Sequence, residues 1–233
     1  MTTPKPAVVP QRAVQRLPRL ALLLFCAAYV LPGVFGRDPW KNADITAVGY
    51  MSSLTRGEAS WWAPTLGGLT GDGSVMPYWL GAASMQLLSG WIDPVLAARL
   101  PFALLLLAVL GLVWYATFHL ARTDAAQPVA FAFGGEARPA DYARALADVA
   151  LLALIASLGL ALLSHESTPS AAQLAFSALL LFGGARLVSP LVSRHGLTVT
   201  AWWAGALGLS LSGAPAVSLA LGAGWLVWSA RSR

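Results

Sequence analysis

The chain has 233 residues, 57% of them hydrophobic and 11% charged, with a mean hydropathy of +0.65. An average globular domain is about 25% charged, so these figures exclude an ordinary soluble domain and a disordered chain, and a single cysteine, Cys26, excludes a disulfide framework. The net charge of +5 sits beside apolar runs, where basic residues set membrane orientation. Membrane lipid is therefore the expected surrounding, and no nucleic-acid partner is expected.

The basic tail, residues 1–19, precedes a first charge-free run from Leu20 to Gly36, 17 residues long. A run of that length suits a spanning helix. It is long for a signal-peptide core and no Ala-x-Ala pattern follows it. Phe25 is too bulky beside Cys26 for lipoprotein processing, which leaves Cys26 as a small buried hydrophobe.

Residues 37–99 form an outer loop, and its longest polar stretch, Arg37 to about Pro77, is the expected seat of chemistry. Asp38, Asp44, Glu58 and Asp72 are interleaved there with Trp40, Trp61, Trp62, Tyr78 and Trp79. Aromatic rings of this kind settle at the lipid headgroup level. Ile45, Val48, Met51 and Leu54 or Thr55 recur at helical spacing. That places Asp44 near the start of a short amphipathic helix, where an N-cap role is its simplest reading. Within the charge-free segment Gly73 to Ile92, Met76, Leu80, Ala83, Leu87 and Trp91 share one helical face. The pattern predicts an interfacial helix in place of a span.

Four further runs follow: Leu100 to Ala121, Val149 to His165, Ser167 to Ala185, and Gly196 to Ala230. The last, at 35 residues, is too long for one crossing, and Gly213-Ala214-Pro215 divides it into helices of about Leu197–Ser212 and Ala214–Ala230. Ala204, Gly208 and Ser212, and then Ser218 and Gly222, are spaced for close helix packing. Residues 122–147, with charges of both signs, read as a solvated cytoplasmic loop to which no chemistry is assigned. The expectation is an all-α polytopic bundle of about six transmembrane helices with juxtamembrane amphipathic helices on the outer face. Residues 148–230 carry the last four spans. Counting Lys and Arg puts 11 of 15 on the side of the two termini, with Arg37, Lys41, Arg56 and Arg99 outside. By the positive-inside rule both termini are cytoplasmic, and a bacterial inner membrane is the expected location.

The turn after the third run holds His165 and Glu166. An imidazole beside a carboxylate can bind a divalent ion or act as a base, and it can equally mark where a helix leaves the hydrocarbon. The chain holds no phosphate-binding loop, dinucleotide fingerprint, His-Glu-x-x-His or Cys-x-x-Cys.

Several pieces, taken in order, carry a resemblance. Gly36-Arg37-Asp38-Pro39-Trp40-Lys41 and Asp44 are followed by Trp62-x-Pro64, Pro77-Tyr78-Trp79-Leu80, Ala97-Ala98-Arg99-Leu100-Pro101 and Ser212-Gly213-Ala214-Pro215. From about Leu20 to Pro215 the chain resembles the GT-C membrane glycosyltransferases. The nearest branch is that of the protein O-mannosyltransferases and the aminoarabinose transferase of lipid A. The resemblance implies transfer of a sugar from a polyprenyl-phosphate donor to a lipid or protein acceptor at the outer face, often with a divalent metal ion. Carried over by position, it implies catalytic roles for Asp44, Glu166 and Asp38, and substrate binding by Lys41, Arg56, Arg99, Tyr78 and Trp79. Asp72 and His165 would be metal ligands. Ala43 stands where the family has the first acid of its pair and Gly73 where it has a lysine. Members are also longer, and the chain corresponds to about half of their bundle. A non-catalytic GT-C-like membrane protein, serving as scaffold or partner subunit, is the alternative expectation.

Overall fold

The computed structural model describes residues 7–15, 17–35, 38–71, 73–157, 159–160, 165–192 and 196–231. Asp72 and Arg37 lie outside the described residues, as do the orientation-setting Lys5, Arg16 and Arg194. The described chain is mostly helical, with eight α-helices: α1 Arg19–Val30, α2 Asn42–Thr55, α3 Met76–Leu88, α4 Pro94–Ala121, α5 Pro139–Ile155, α6 Pro169–Leu187, α7 Gly196–Leu211 and α8 Pro215–Arg231. A two-stranded hairpin, Thr65–Leu66 against Leu69–Thr70, is the only sheet among the described residues. Among them two helices, α4 and α6, are long and apolar enough to cross a membrane, and α1, α7 and α8 are shorter apolar helices.

At one end the tail meets the loop before α5. Val129 N–H donates to the Ala7 carbonyl, Ala137 N–H to Val9 and Gln11 N–H to Gly135, each at 2.9 Å. At the other end the segment before α3 reaches the α7–α8 turn, where Val75 N–H donates to the Leu211 carbonyl at 2.9 Å and Ser74 Oγ to Ser212 at 3.0 Å. That turn shows why the long apolar run breaks. Gly213 takes φ 86°, Ala214 N–H returns to the Leu209 carbonyl and Gly213 N–H to Ser210. This is the glycine-terminated helix end in which left-handed backbone closes the last carbonyls.

Two helices differ from the charge-free count. α4 begins six residues before Leu100, because Asp93 caps it through Val95 N–H and Leu96 N–H at 2.9 and 3.1 Å and Pro94 occupies the first helical position. Arg99 is thereby inside the helix and not at its threshold. Pro101 lies further along and removes the donor to the Ala97 carbonyl. Ser84 Oγ of α3 donates to that oxygen at 2.7 Å. α5 likewise starts at Pro139, ten residues before Val149, and ends at Ile155, ten residues short of His165, so the expected Val149 to His165 run is not one continuous helix, and Asp141 and Asp148, expected in a solvated loop, are buried helical residues. Glycines let α6 and α7 approach closely. A Cβ at Gly205 would lie 2.7 Å from the Leu180 backbone nitrogen. The buried stripe of α7 is Ala201, Gly205, Gly208 and Leu209, with Ala204, expected at the contact, exposed.

Candidate functional site

α2 carries Asp44, but not as a cap. Lys41 occupies the N-cap position and makes no side-chain cap bond, and Asp44 sits in the first turn. The buried face of α2 is Asp44, Ala47, Tyr50, Met51 and Leu54, with Ile45 half exposed. The helical stripe read from Ile45 and Val48 is thus displaced by one position, and the displacement carries the aspartate inward. A carboxylate turned into a bundle must find donors or a cation.

It finds both. Asp44 Oδ1 accepts from Ser167 N–H at 2.9 Å, and Oδ2 lies 3.5 Å from Arg99 Nη2. Glu166, adjacent to Ser167, places Oε1 2.7 Å from Lys41 Nζ, with side-chain exposures of 3% for the glutamate and 29% for the lysine. Lys41 also lies over the Trp40 ring, 5.2 Å from its centroid. Two acids and two cations from three separate parts of the sequence therefore meet at one end of the bundle. Asp44 is fully buried and Arg99 is 4% exposed.

The cluster also holds several polar atoms without a hydrogen-bond partner. Among the described residues Asp44 Oδ2, Arg99 Nε and Nη2, Ser167 Oγ and Thr168 Oγ1 are buried without a hydrogen-bond partner. Buried polar groups are ordinarily paired, and such a concentration calls for an explanation. Arg99 and Ser167 line a crevice with Gly33, Phe102 and His165, about 10 Å³ in volume, roughly the room one water needs.

His165 closes this crevice. Its Nε2 donates to the Tyr29 carbonyl at 2.7 Å, and its ring meets Tyr29 edge-on at 5.1 Å. Gly33 makes the approach possible, since a Cβ there would fall 1.9 Å from His165 Cδ2. No three His, Cys, Asp or Glu side chains gather among the described residues, and each carboxylate of the cluster already faces a cation. Asp72 lies outside the described residues.

The remaining expected site residues stand apart from this cluster. Arg56 is exposed and pairs with Glu58 at 3.5 Å. Tyr78 stacks on Tyr50 at 4.9 Å within the α2–α3 core, and Trp79 packs edge-on against Trp62 at 5.3 Å while its Nε1 donates to the Trp61 carbonyl. Asp38 is exposed in the segment leading to α2. Sequence reasoning passed over Ser167 and Thr168. Ser-Thr-Pro reads there only as a helix start, and Thr168 at the N-cap position makes no side-chain cap bond. Comparison with protein-family models, with curated proteins and with solved structures finds no match.

Proposed function

We propose that the chain is an integral membrane protein of about six spans, with both termini cytoplasmic, and that its outer end is a GT-C-like glycosyl-transfer site. The membrane reading is supported by large apolar side chains left exposed along the shorter helices, among them Leu20, Leu23 and Leu24 of α1 and Leu219, Leu226 and Val227 of α8. Apolar surface on that scale needs lipid or protein to cover it.

The site reading rests on one observation: buried polar atoms without a hydrogen-bond partner on Arg99, Ser167 and Thr168 gather at Asp44, whose Oδ2 faces Arg99 and whose Oδ1 accepts from Ser167 N–H. Donors and a cation suit a departing phosphate, and a carboxylate suits an acceptor hydroxyl. In this reading the acceptor oxygen bonds to the anomeric carbon as the bond from that carbon to the phosphate oxygen breaks. The acceptor proton passes to Asp44, and the polyprenyl phosphate leaves with the bonding pair beside Arg99 and Lys41. Glu166 holds Lys41 in place.

The burial of the cluster favours a second reading. With Asp44 fully buried and a crevice no larger than a water, the charges would staple the loop of residues 37–99 to the bundle of a non-catalytic scaffold or partner subunit. Thr168→Val separates the two, because it removes a hydroxyl the fold does not use. In proteoliposomes supplied with a labelled polyprenyl-phosphate sugar and membrane lipid acceptors, the transfer reading expects wild-type turnover that falls at least about 10-fold in Thr168→Val and about 100-fold or more in Asp44→Asn. Thermal stability of Thr168→Val should be unchanged or raised. Wild-type turnover that Thr168→Val and Asp44→Asn leave intact would remove the cluster from the chemistry.

A further inference from the structure

At the opposite end from this cluster, α1, α4 and α5 enclose a cavity of about 370 Å³ lined by Arg19, Leu22, Trp114, Phe118, Arg144 and Asp148. Its size is that of a ligand pocket. Asp148 is already engaged: Trp114 Nε1 donates to Oδ1 at 2.8 Å and Leu17 N–H to Oδ2 at 3.3 Å. Among the described residues neither Arg19 nor Arg144 has a carboxylate within ion-pair distance. The pocket therefore offers two guanidinium groups, one of them partly buried, against one occupied carboxylate.

The cavity also continues. A second, apolar groove of about 470 Å³ shares Arg19, Leu22 and Trp114 with it and runs on past Leu23, Cys26 and Leu107. A cationic mouth opening onto an apolar trough matches one kind of molecule, an amphiphile with an anionic head. Guanidinium forks pair well with phosphate oxygens, and basic pockets between helices at the cytoplasmic face hold anionic lipid headgroups.

We infer that this pocket binds an anionic phospholipid of the cytoplasmic leaflet, with its phosphate between Arg19 and Arg144 and an acyl chain along the groove of α1 and α4. The inference rests on the membrane reading above and is independent of glycosyl transfer. Trp114, at the junction of the two cavities, is the reporter. The full-length protein is reconstituted with brominated phosphatidylglycerol or brominated phosphatidylcholine, and quenching assigned to Trp114 is taken as the difference between wild type and Trp114→Phe.

Phosphatidylglycerol should half-saturate that quenching at a lower mole fraction than phosphatidylcholine, and each of Arg19→Gln and Arg144→Gln should reduce the preference about fivefold. Arg12→Gln, at the same end but outside the cavity, should leave it unchanged. Thermal unfolding in phosphatidylglycerol against phosphatidylcholine provides a readout that does not need Trp114→Phe to fold. Equal quenching by the two lipids overturns the inference. An equal effect of Arg12→Gln reduces it to general surface charge and overturns it too, and reversal by inorganic phosphate alone makes the site one for free phosphate. Absence of quenching at any tryptophan by either lipid would sink the membrane reading itself.

Discussion

The two ion pairs of the cluster differ in their access to water, and that difference decides how each responds to mutation. Arg99 and Asp44 are both buried, so removing one partner strands the other as an uncompensated charge. Asp44→Asn or Arg99→Gln should each lower unfolding stability by about 3–5 kcal/mol, whereas Asp44→Leu with Arg99→Met, which removes both charges, should recover most of the loss. Thermal unfolding of the three variants in lipid nanodiscs checks this, and a double variant no better than the singles would refute it. Lys41 can reach solvent through its 29% exposed side chain, so Glu166→Gln should cost only about 1 kcal/mol. The residue scale also shows what a stripe read from hydropathy misses. Asp44 was visible as an acid in the first turn of a helix, but its inward direction follows from α2 burying Ala47, Tyr50, Met51 and Leu54, which only the partners α3 and α4 could select.

Among the elements, α3 and α4 are coupled through a proline. Pro101 leaves the Ala97 carbonyl without its helical donor, and Ser84 of α3 supplies one. Ser84→Ala should therefore destabilise by about 1–3 kcal/mol, and the same change made together with Pro101→Ala should cost much less, because the helix then bonds to its own carbonyl. A double-mutant cycle by denaturant unfolding measures the coupling; strict additivity would refute it. The packing of α6 on α7 gives a second prediction. Gly205→Ala places a methyl against the Leu180 backbone and should cost about 1–3 kcal/mol. Gly224→Ala in α8 has nothing within 4 Å and should be neutral or stabilising by up to about 1 kcal/mol. Equal effects at the two glycines in the same assay would contradict the packing.

For the whole molecule, the contacts divide the chain into two ends, and the membrane reading assigns them to opposite faces. Cys26 is the single cysteine, so replacing it gives a background for site-specific labelling. Cysteines at Trp62 and Ser170, both exposed near the Asp44 cluster's end, should react with an impermeant maleimide from the periplasmic side of intact spheroplasts. A cysteine at Phe133, exposed in the loop before α5, should react only after permeabilisation. Labelling of positions 62 and 133 from one side would end both the topology and the proposed site.

Much of the helical layout was legible in the chain itself, because charge spacing and Gly-Pro punctuation are local properties. The interruption at Gly213 to Pro215 follows from them directly, and the short helices of residues 37–99 follow from apolar residues recurring at helical spacing. Helix starts were less legible: α4 and α5 extend past their charged residues once Asp93 caps one and prolines open both, so charge-free length undercounts them. The meeting of Asp44, Arg99, Lys41 and Glu166 had no local signal at all. It joins positions more than a hundred residues apart, and only the packing of α2 and α4 beside the turn before α6 brings opposite charges close enough in a low-dielectric interior to require one another.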